Sequence, residues 1–260
     1  MGFYRVRGFP LEHRTVKENE ALLTLFCLEK GRIQITVRGT KKTAASLRPA
    51  LLPLNEGYYF ITERRTSDLL TEWAPLRSFT EMKKYPGRLG LAGYAARFYM
   101  VFTPVQEPDP DLYHLLENIY LLFNTRINHD IMRLLFEWGF LRATGLAPSL
   151  WGCAACGNDF TGENIGWNIP EGDLYCGACR AGGGHEKQLN LKSVEYGKRI
   201  DTISRALAYG QIDPEDRDLE KQLMELETFG KDDRARFRNA AAGFCAHHLN
   251  EEIADWHINI

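Results

Sequence analysis

The sequence lacks the features that would place it in a membrane or outside the cell. Hydrophobic residues make up 44% of its 260 positions. No uninterrupted apolar run, however, approaches the roughly 20 residues that a transmembrane helix needs. The termini carry no basic and apolar export signal. We therefore expect a soluble, cytoplasmic protein with no membrane contact, long enough to bury more than one hydrophobic core.

The chain also lacks the short motifs that identify common enzyme classes. It contains no Gly-x-x-x-x-Gly-Lys-Ser/Thr phosphate loop, no His-Glu-x-x-His metal site and no Gly-x-Ser-x-Gly nucleophile turn. Gly87, Gly90 and Gly93 have the wrong intervals for a dinucleotide fingerprint, and no strand precedes them. No carboxylates cluster at the spacing that a metal-dependent nuclease needs. We therefore predict that the protein is not an enzyme.

Cysteine is scarce, and most of it lies in one short segment. Four of the six cysteines form two Cys-x-x-Cys pairs, at Cys153, Cys156, Cys176 and Cys179. The loop between the pairs has the length of a two-knuckle zinc ribbon, in which each knuckle supplies two thiolates to one tetrahedral ion. Because four cysteines leave no open coordination position, we predict one structural zinc ion rather than a catalytic one.

Other interpretations of the cysteines remain open from the sequence. The two pairs could be redox-active or form disulfides, although neither lies in a thioredoxin-like strand-to-helix context. His185 could replace one of the cysteine ligands. Cys27, in an apolar strand, and Cys245, in the last predicted helix, are expected to be buried thiols rather than ligands.

Alternation of polar and apolar residues predicts β-structure in the first third of the chain. An apolar run from Ala21 to Leu28 and a strictly alternating run from Arg32 to Arg38 flank Glu29-Lys30-Gly31, which predicts a hairpin. The core face of its second strand should carry Ile33, Ile35 and Val37. The solvated face should carry Arg32, Gln34, Thr36 and Arg38. Further strands are predicted at residues 3–7, around 51, 58–62 and 69–73. Together they indicate a small antiparallel barrel or sandwich.

Helical periodicity replaces this pattern after Pro86-Gly87. The first helix should bury a stripe that includes Leu89, and Asp111 is the predicted cap of the second. A third helix is predicted from about 128 to 143. Residues 145–184 follow neither period, as metal-held loops do. Later helices are predicted near 192–209, 217–228 and 234–250.

Positive charge is concentrated in the first 50 residues, although the net charge of the whole chain is only −2. This segment has ten Lys and Arg residues against four acidic ones, so the remainder carries about −8. Such a distribution attracts phosphates and releases their counterions on contact. We therefore predict that DNA is bound by Arg32, Arg38, Lys41, Lys42 and Arg48. An ordinary solvated strand face and turn is the alternative interpretation.

Aromatic residues could extend this predicted DNA site. OB-type barrels bind single strands through a basic groove with aromatic platforms. Tyr58, Tyr59 and Phe60 are candidates for such a platform, and they are equally candidates for the barrel core. The basic residues of the later helices, such as those near 192–205 and 234–238, could extend a DNA path or simply form solvated helix faces.

Three stretches of the chain follow one another in an informative order. The first runs from Gly31-Arg32-Ile33 to Val37-Arg38-Gly39-Thr40-Lys41-Lys42. The second comprises Phe136-Glu137, Leu141, Gly145-Leu146, Pro148 and Leu150, and leads into Cys153-x-x-Cys156-Gly157. The third is Cys176-x-x-Cys179. In this order the stretches resemble the bacterial RecO family, which assists recombinational DNA repair, over residues 1 to about 180.

The resemblance implies an α+β multidomain architecture. Its parts would be an N-terminal OB-fold β-barrel at 1–82, an α-helical domain at 83–150 and 186–260, and a four-cysteine zinc ribbon inserted at 151–185. It also implies a function, namely binding of single- and double-stranded DNA and annealing of complementary strands by a recombination mediator.

The resemblance further implies partners. These are RecR and the C-terminal tail of single-stranded DNA-binding protein, in a nucleoid-associated pathway that loads RecA. A zinc-ribbon protein-interaction scaffold without direct DNA binding is the alternative function.

Overall fold

The computed structural model describes residues 2–38, 47–79, 82, 84–123, 127–180, 186–210, 213 and 216–249. These residues form two compact units, the first built from a β-sheet and two helices and the second from a small sheet and the later helices. The predicted order, a β region followed by a helical region, is confirmed. Among the described helices, none is both long and apolar enough to cross a bilayer.

Five strands form the sheet of the first unit. They are β1 (Phe3–Lys17), β2 (Glu20–Cys27), β3 (Gly31–Arg38), β4 (Asn55–Thr62) and β5 (Leu69–Ser78). The sheet closes into a barrel in the order β1-β2-β3-β5-β4. β1 pairs antiparallel with both β2 and β4, whereas β3 meets β5 in parallel, where Thr36 lies opposite Leu69. Closure leaves one face of every strand towards the core.

The predicted hairpin and its core face are confirmed. β2 and β3 pair along their length, and Ile33, Ile35 and Val37 are all buried. Gly31, at the turn, has a φ of +62°. A Cβ atom there would lie 2.0 Å from the backbone oxygen of Glu107. Only glycine therefore fits this position.

Three details of the β region differ from the prediction. Residues 48–51 form a short 3-10 helix, not a strand, with Pro49 in its first turn. β1 continues to Lys17, well beyond the predicted end at residue 7. Thr36, expected on the solvated face, is buried instead. Its hydroxyl lies 2.8 Å from that of Ser67, just before β5.

Two helices complete the first unit, α1 (Pro86–Phe102) and α2 (Pro110–Phe123). Pro86 lies in the first turn of α1, where its missing N–H costs nothing. Leu89 is exposed and so does not belong to the buried stripe of α1. At the start of α2 the backbone N–H of Leu112 donates to the carboxylate of Asp109 at 3.0 Å. Asp109, rather than the predicted Asp111, therefore caps this helix.

Aromatic rings pack α1 and α2 against the barrel. The ring centroids of Phe26 and Tyr99 lie 4.8 Å apart, and those of Phe9 and Tyr113 lie 5.4 Å apart. This packing explains why the first compact unit extends through α2, beyond the predicted domain boundary after residue 82. The division into three functional domains stays a prediction.

The second unit begins with α3 (His129–Ala143), which Asn128 caps through a hydrogen bond from the N–H of Asp130. A three-stranded antiparallel sheet follows, in the order β7-β6-β8, with β6 at Ile165–Asn168, β7 at Asp173–Tyr175 and β8 at Glu186–Leu189. The remaining described helices are α4 (Leu191–Ala208), α5 (Arg217–Glu227) and α6 (Lys231–Leu249). Each begins and ends within a few residues of its predicted bounds.

Tryptophan joins the small sheet to the helices of this unit. Trp167 of β6 is fully buried, and its ring lies 6.0 Å from that of Trp138 on α3 and 5.9 Å from that of Phe237 on α6. The indole N–H of Trp138 donates to Asp201 of α4 at 2.7 Å. The sheet is thus tied to three helices through two large side chains.

Candidate metal centre and nucleic-acid interface

The first Cys-x-x-Cys pair lies in a tight turn held by backbone hydrogen bonds. The N–H of Gly157 donates to the carbonyl of Cys153 at 2.8 Å, and the N–H of Cys153 donates to the carbonyl of Asn158 at 2.9 Å. Gly157 has a φ of +72°, a conformation that residues with a Cβ atom rarely adopt. The glycine after the pair therefore permits the turn.

The second pair follows β7 directly and forms a similar turn. The N–H groups of Cys179 and Arg180 both donate to the carbonyl of Cys176 at 3.0 Å. The first turn is bonded to the same strand, because the N–H of Ala154 donates to the carbonyl of Leu174 at 2.9 Å. β7 thus positions both turns side by side.

The four thiols of these turns form one cluster. The sulfur atoms of Cys153, Cys156, Cys176 and Cys179 all lie within 4.8 Å of one another, and those of Cys156 and Cys176 are 4.0 Å apart. All four are free thiols, whereas a disulfide would need a sulfur separation of about 2.05 Å. A tetrahedral ion with bonds of about 2.3 Å separates its sulfur ligands by about 3.8 Å. The cluster therefore fits a single metal ion.

The backbone around Cys153 favours a thiolate. The N–H of Cys176 donates to its sulfur at 3.3 Å. Burial opposes ionisation, but backbone hydrogen bonds from Cys176, Cys156 and Ala155 outweigh it and lower the pKa of Cys153 to about 6. The thiolate is the form that binds metal. The surrounding backbone thus favours the ionised form of Cys153, which is the form that binds a cation.

The environment of Cys179 also favours a bound cation. Hydrogen bonds from the Cys179 thiol to Cys176 and Cys156, followed by burial and the charge of Cys153, raise the pKa of Cys179 to about 12. Four thiolates therefore cannot share this space unless a cation compensates them. Soft sulfur donors in a closed set of four are typical of structural zinc or iron centres.

The two remaining cysteines do not join the cluster. Cys27 and Cys245 are buried elsewhere, as predicted, and burial raises the pKa of both thiols well above its ordinary value. His185 lies outside the described residues. Within the part of the chain that the structure describes, the four cysteines are the one group of His, Cys, Asp and Glu side chains placed to hold an ion.

The predicted DNA-binding residues have different environments. Arg38 is exposed at the end of β3 and pairs with Glu20 at 3.2 Å. Arg48 is exposed in the 3-10 helix. Arg32 is half-buried, because its Nε donates to the carbonyl of Thr103 at the end of α1, at 3.0 Å. Lys41 and Lys42 lie outside the described residues. Arg38 and Arg48 thus offer accessible charge, whereas Arg32 also ties α1 to the barrel.

The three aromatic candidates on β4 separate into core and surface. Tyr59 is fully buried, and its hydroxyl lies 3.3 Å from the carbonyl of Ala50. Tyr58 and Phe60 face outward beside Phe3 and Arg5 of β1. The sequence interpretation missed Phe3 and Arg5. Alternation along β1, which buries Val6 and exposes Phe3 and Arg5, was the signal that could have identified them.

Two family models match this chain. The model described as "Recombination protein O N terminal" matches residues 1–79, and the model described as "Recombination protein O C terminal" matches residues 85–226. The two matches follow one another without overlap and together take in the barrel, the cysteine cluster and the helices through most of α5.

Curated proteins similar to the chain have a common name. The "DNA repair protein RecO" of Desulforamulus reducens is 25% identical over 189 residues, which is 73% of this chain and 72% of that protein. That of Anaeromyxobacter dehalogenans is 29% identical over 180 residues, or 68% of this chain and 71% of that protein. That of Syntrophus aciditrophicus is 24% identical over 226 residues, or 83% and 87%.

Proposed function

The chain belongs to the RecO family of DNA repair proteins, and on that premise we propose that it is a DNA-binding recombination mediator. It binds single- and double-stranded DNA, anneals complementary strands and, with RecR, assists the loading of RecA. The observation that carries the proposal is the consecutive match of both family models to this chain. It acts in the cytoplasm, at the nucleoid, and the tail of single-stranded DNA-binding protein is its further partner.

The barrel supplies the proposed DNA contacts. A closed five-stranded barrel in the order β1-β2-β3-β5-β4 has the arrangement of the OB fold, whose members bind single strands in a basic groove. The exposed guanidinium groups of Arg38 and Arg48 would bind phosphates, together with Arg32, Lys41 and Lys42 of the same segment. We assign residues 1–82 to this domain, 83–150 and 186–260 to the helical domain, and 151–185 to the zinc ribbon.

The proposed mechanism involves binding without bond chemistry. Cationic side chains that hold the phosphates of two strands lower the repulsion between those strands and release their counterions. Base pairing then supplies the sequence specificity. No bond is made or broken in this mechanism.

We propose that zinc occupies the four-cysteine cluster. Cys153, Cys156, Cys176 and Cys179 would hold the ion, and the ion would cross-link the two turns beside β7. The donor set supports this assignment, because four sulfur ligands close the coordination sphere and suit a structural rather than a catalytic ion. Metal analysis of the purified protein should find one zinc per chain.

Annealing is the activity that tests the proposal. Two complementary oligonucleotides with a fluorophore and a quencher are mixed with and without the protein over a series of salt concentrations. We expect salt-sensitive acceleration without any nucleotide cofactor. A protein that contains zinc but neither binds DNA nor accelerates annealing would instead be the zinc-ribbon scaffold.

A further inference from the structure

A group of aromatic and basic side chains, exposed on β1 and half-buried on β4, lies on the outer face of these two strands. It consists of Phe3, Arg5, Tyr58 and Phe60, which we call the β1–β4 platform. Arg5 lies directly opposite Phe60, and Phe3 lies opposite Thr62. Because alternate residues of paired strands point to the same side of a sheet, the four side chains share one face.

The platform is ordered by contacts between its own members. The rings of Phe3 and Phe60 stack with centroids 6.3 Å apart and an interplanar angle of 24°. The guanidinium carbon of Arg5 lies 4.9 Å from the centroid of the Tyr58 ring. Both contacts run diagonally across the strand pair in the same direction, so that three rings and a cation form a continuous surface.

The β1 side chains of this surface contribute little to the barrel core. Phe3 remains 64% exposed, and Arg5 is also exposed, whereas the neighbouring inward residues Val6 and Tyr59 are fully buried. A large ring that leaves most of its area in water adds little hydrophobic stabilisation. An exposed aromatic face beside a cation is, however, suited to ligands that are flat and negatively charged.

Side chains of opposite charge flank Phe60 on the two neighbouring strands. Arg5 lies on the β1 side of Phe60, and Glu72 of β5 lies opposite Phe60 on the other side and is exposed. A phosphate is therefore attracted to the β1 edge and repelled from the β5 edge. A nucleotide on this face would place its phosphate beside Arg5 and its base over the rings.

From this arrangement we propose that the β1–β4 platform stacks unpaired bases of single-stranded DNA, with Arg5 at the phosphate. The inference rests on the proposed DNA-binding function and deepens it by assigning a surface specific for single strands. Duplex DNA cannot use the rings in this way, because its bases are already stacked on one another inside the helix. The platform therefore distinguishes single strands from duplexes through base stacking, a contact that carries no charge.

The test compares variants of the full-length protein on labelled oligo-dT and on a duplex of equal length. Phe3→Leu keeps an apolar side chain but removes the aromatic ring, and Phe3→Trp restores a ring. Val16→Ala, at the far end of β1 and similarly exposed, is the matched control. We expect Phe3→Leu and Phe60→Leu each to weaken oligo-dT binding by about fivefold or more, with duplex binding unchanged. Phe3→Trp and Val16→Ala should bind like the unaltered protein.

Salt dependence separates stacking from charge. The Phe3→Leu loss should be the same at every salt concentration, because no counterion is involved. Arg5→Ala should instead reduce the steepness of the log-log salt dependence for single strands by about 0.7. Thermal unfolding of each variant establishes that the fold is retained.

The failures of the two proposals are distinguishable. If the unaltered protein binds neither DNA, the proposed function fails. If it binds DNA but Phe3→Leu and Phe60→Leu bind oligo-dT equally well, the platform is overturned while the proposed function stands. Equal losses on oligo-dT and duplex would also overturn it, because stacking on unpaired bases predicts a difference.

Discussion

At the scale of single residues, the first unit contains a buried ion-pair network that the sequence did not reveal. Glu56 is fully buried and accepts hydrogen bonds from Arg7 at 2.5 Å and from the hydroxyl of Tyr113 at 2.8 Å. Arg7 also contacts Glu117 at 2.6 Å, and Arg77 reaches the same carboxylate at 3.1 Å. These contacts join β1 and β4 to α2. Burial and then the Glu56 carboxylate raise the pKa of Tyr113, which keeps its proton on the hydroxyl.

Arg7→Ala should therefore destabilise the protein strongly. It leaves the Glu56 carboxylate buried without its cation, and such uncompensated burial costs about 3–5 kcal/mol. Arg38→Ala is the matched control, because its ion pair with Glu20 is exposed and worth at most about 1 kcal/mol. Urea unfolding of both variants measures the difference. Equal losses of unfolding free energy in the two variants would show that the Glu56 network does not depend on Arg7.

Cys27 should make stability depend on pH. Burial raises the pKa of its thiol well above the ordinary value. The thiol of an unfolded chain ionises near about 8.5, so above that pH the unfolded state loses a proton that the folded state keeps. The free energy of unfolding should then fall as the pH rises, by up to about 1.4 kcal/mol per pH unit for this group.

Cys27→Val tests this pH dependence, because valine is apolar, of similar size and cannot ionise. Urea unfolding between neutral and alkaline pH should show a shallower decline for the variant than for the unaltered protein. The part of the decline that remains is expected from the second buried thiol, Cys245, and at higher pH from buried tyrosines such as Tyr113, whose pKa is also raised. Parallel curves for the two proteins would exclude Cys27 as the source.

At the scale of elements, the small sheet of the second unit depends on its cysteine turns. β6 and β8 have four residues each and β7 has three. Strands this short are marginal without a cross-link or extensive packing. β6 is anchored by the large buried ring of Trp167, whereas the buried residue of β7 is a single leucine, Leu174. We therefore expect the metal, rather than strand pairing, to hold β7 and both turns in place.

Removal of the metal should open this sheet selectively. A chelator, or Cys176→Ala, should abolish hydrogen-exchange protection in β7 and in both cysteine turns while β1 to β5 keep theirs, because the barrel has its own core. Acidification should act in the same direction, since protons compete with the metal for thiolates. Cys245→Ala is the control and should retain one metal ion per chain. Unchanged protection after complete metal removal would contradict the cross-linking role.

At the scale of the whole molecule, we expect the position of charge to matter more for DNA binding than its total. The chain has a net charge of only −2, yet its first 50 residues carry ten basic and four acidic side chains. α4 also presents exposed basic residues, at Lys192, Arg199 and Arg205. If total charge governed DNA binding, the basic residues of the first 50 positions and those of α4 would contribute equally. If binding occurs at a localised site, only the residues of that site contribute.

Two triple variants with the same change in net charge test this distinction. Replacement of Arg38, Lys41 and Lys42 with Ala should weaken DNA binding and reduce the slope of its salt dependence, by up to about 2 for single strands. The control, with Ala at Lys192, Arg199 and Arg205, should leave the slope unchanged. Similar effects of both variants would indicate either that total charge governs binding or that α4 is part of the DNA path.

Local patterns alone predicted most of the elements. Strict alternation identified the hairpin of β2 and β3, and Asn128 marked the start of α3 correctly. The spacing of the cysteines predicted their cluster, because a Cys-x-x-Cys turn brings its two thiols together through short-range geometry. In each case the residues that decide the structure lie within a few positions of one another, where backbone and side-chain stereochemistry acts directly.

Only the tertiary structure decided how individual side chains are used. Tyr58, Tyr59 and Phe60 have similar chemistry, but barrel closure buries Tyr59 and leaves its neighbours beside Phe3 and Arg5. Pairing partners distant in the sequence likewise bury Thr36 and Glu56. The sequence by itself thus determined the family, the main elements and the cluster of four cysteines. The roles of exposed and buried residues depended on contacts between distant strands and helices, which no local pattern encodes.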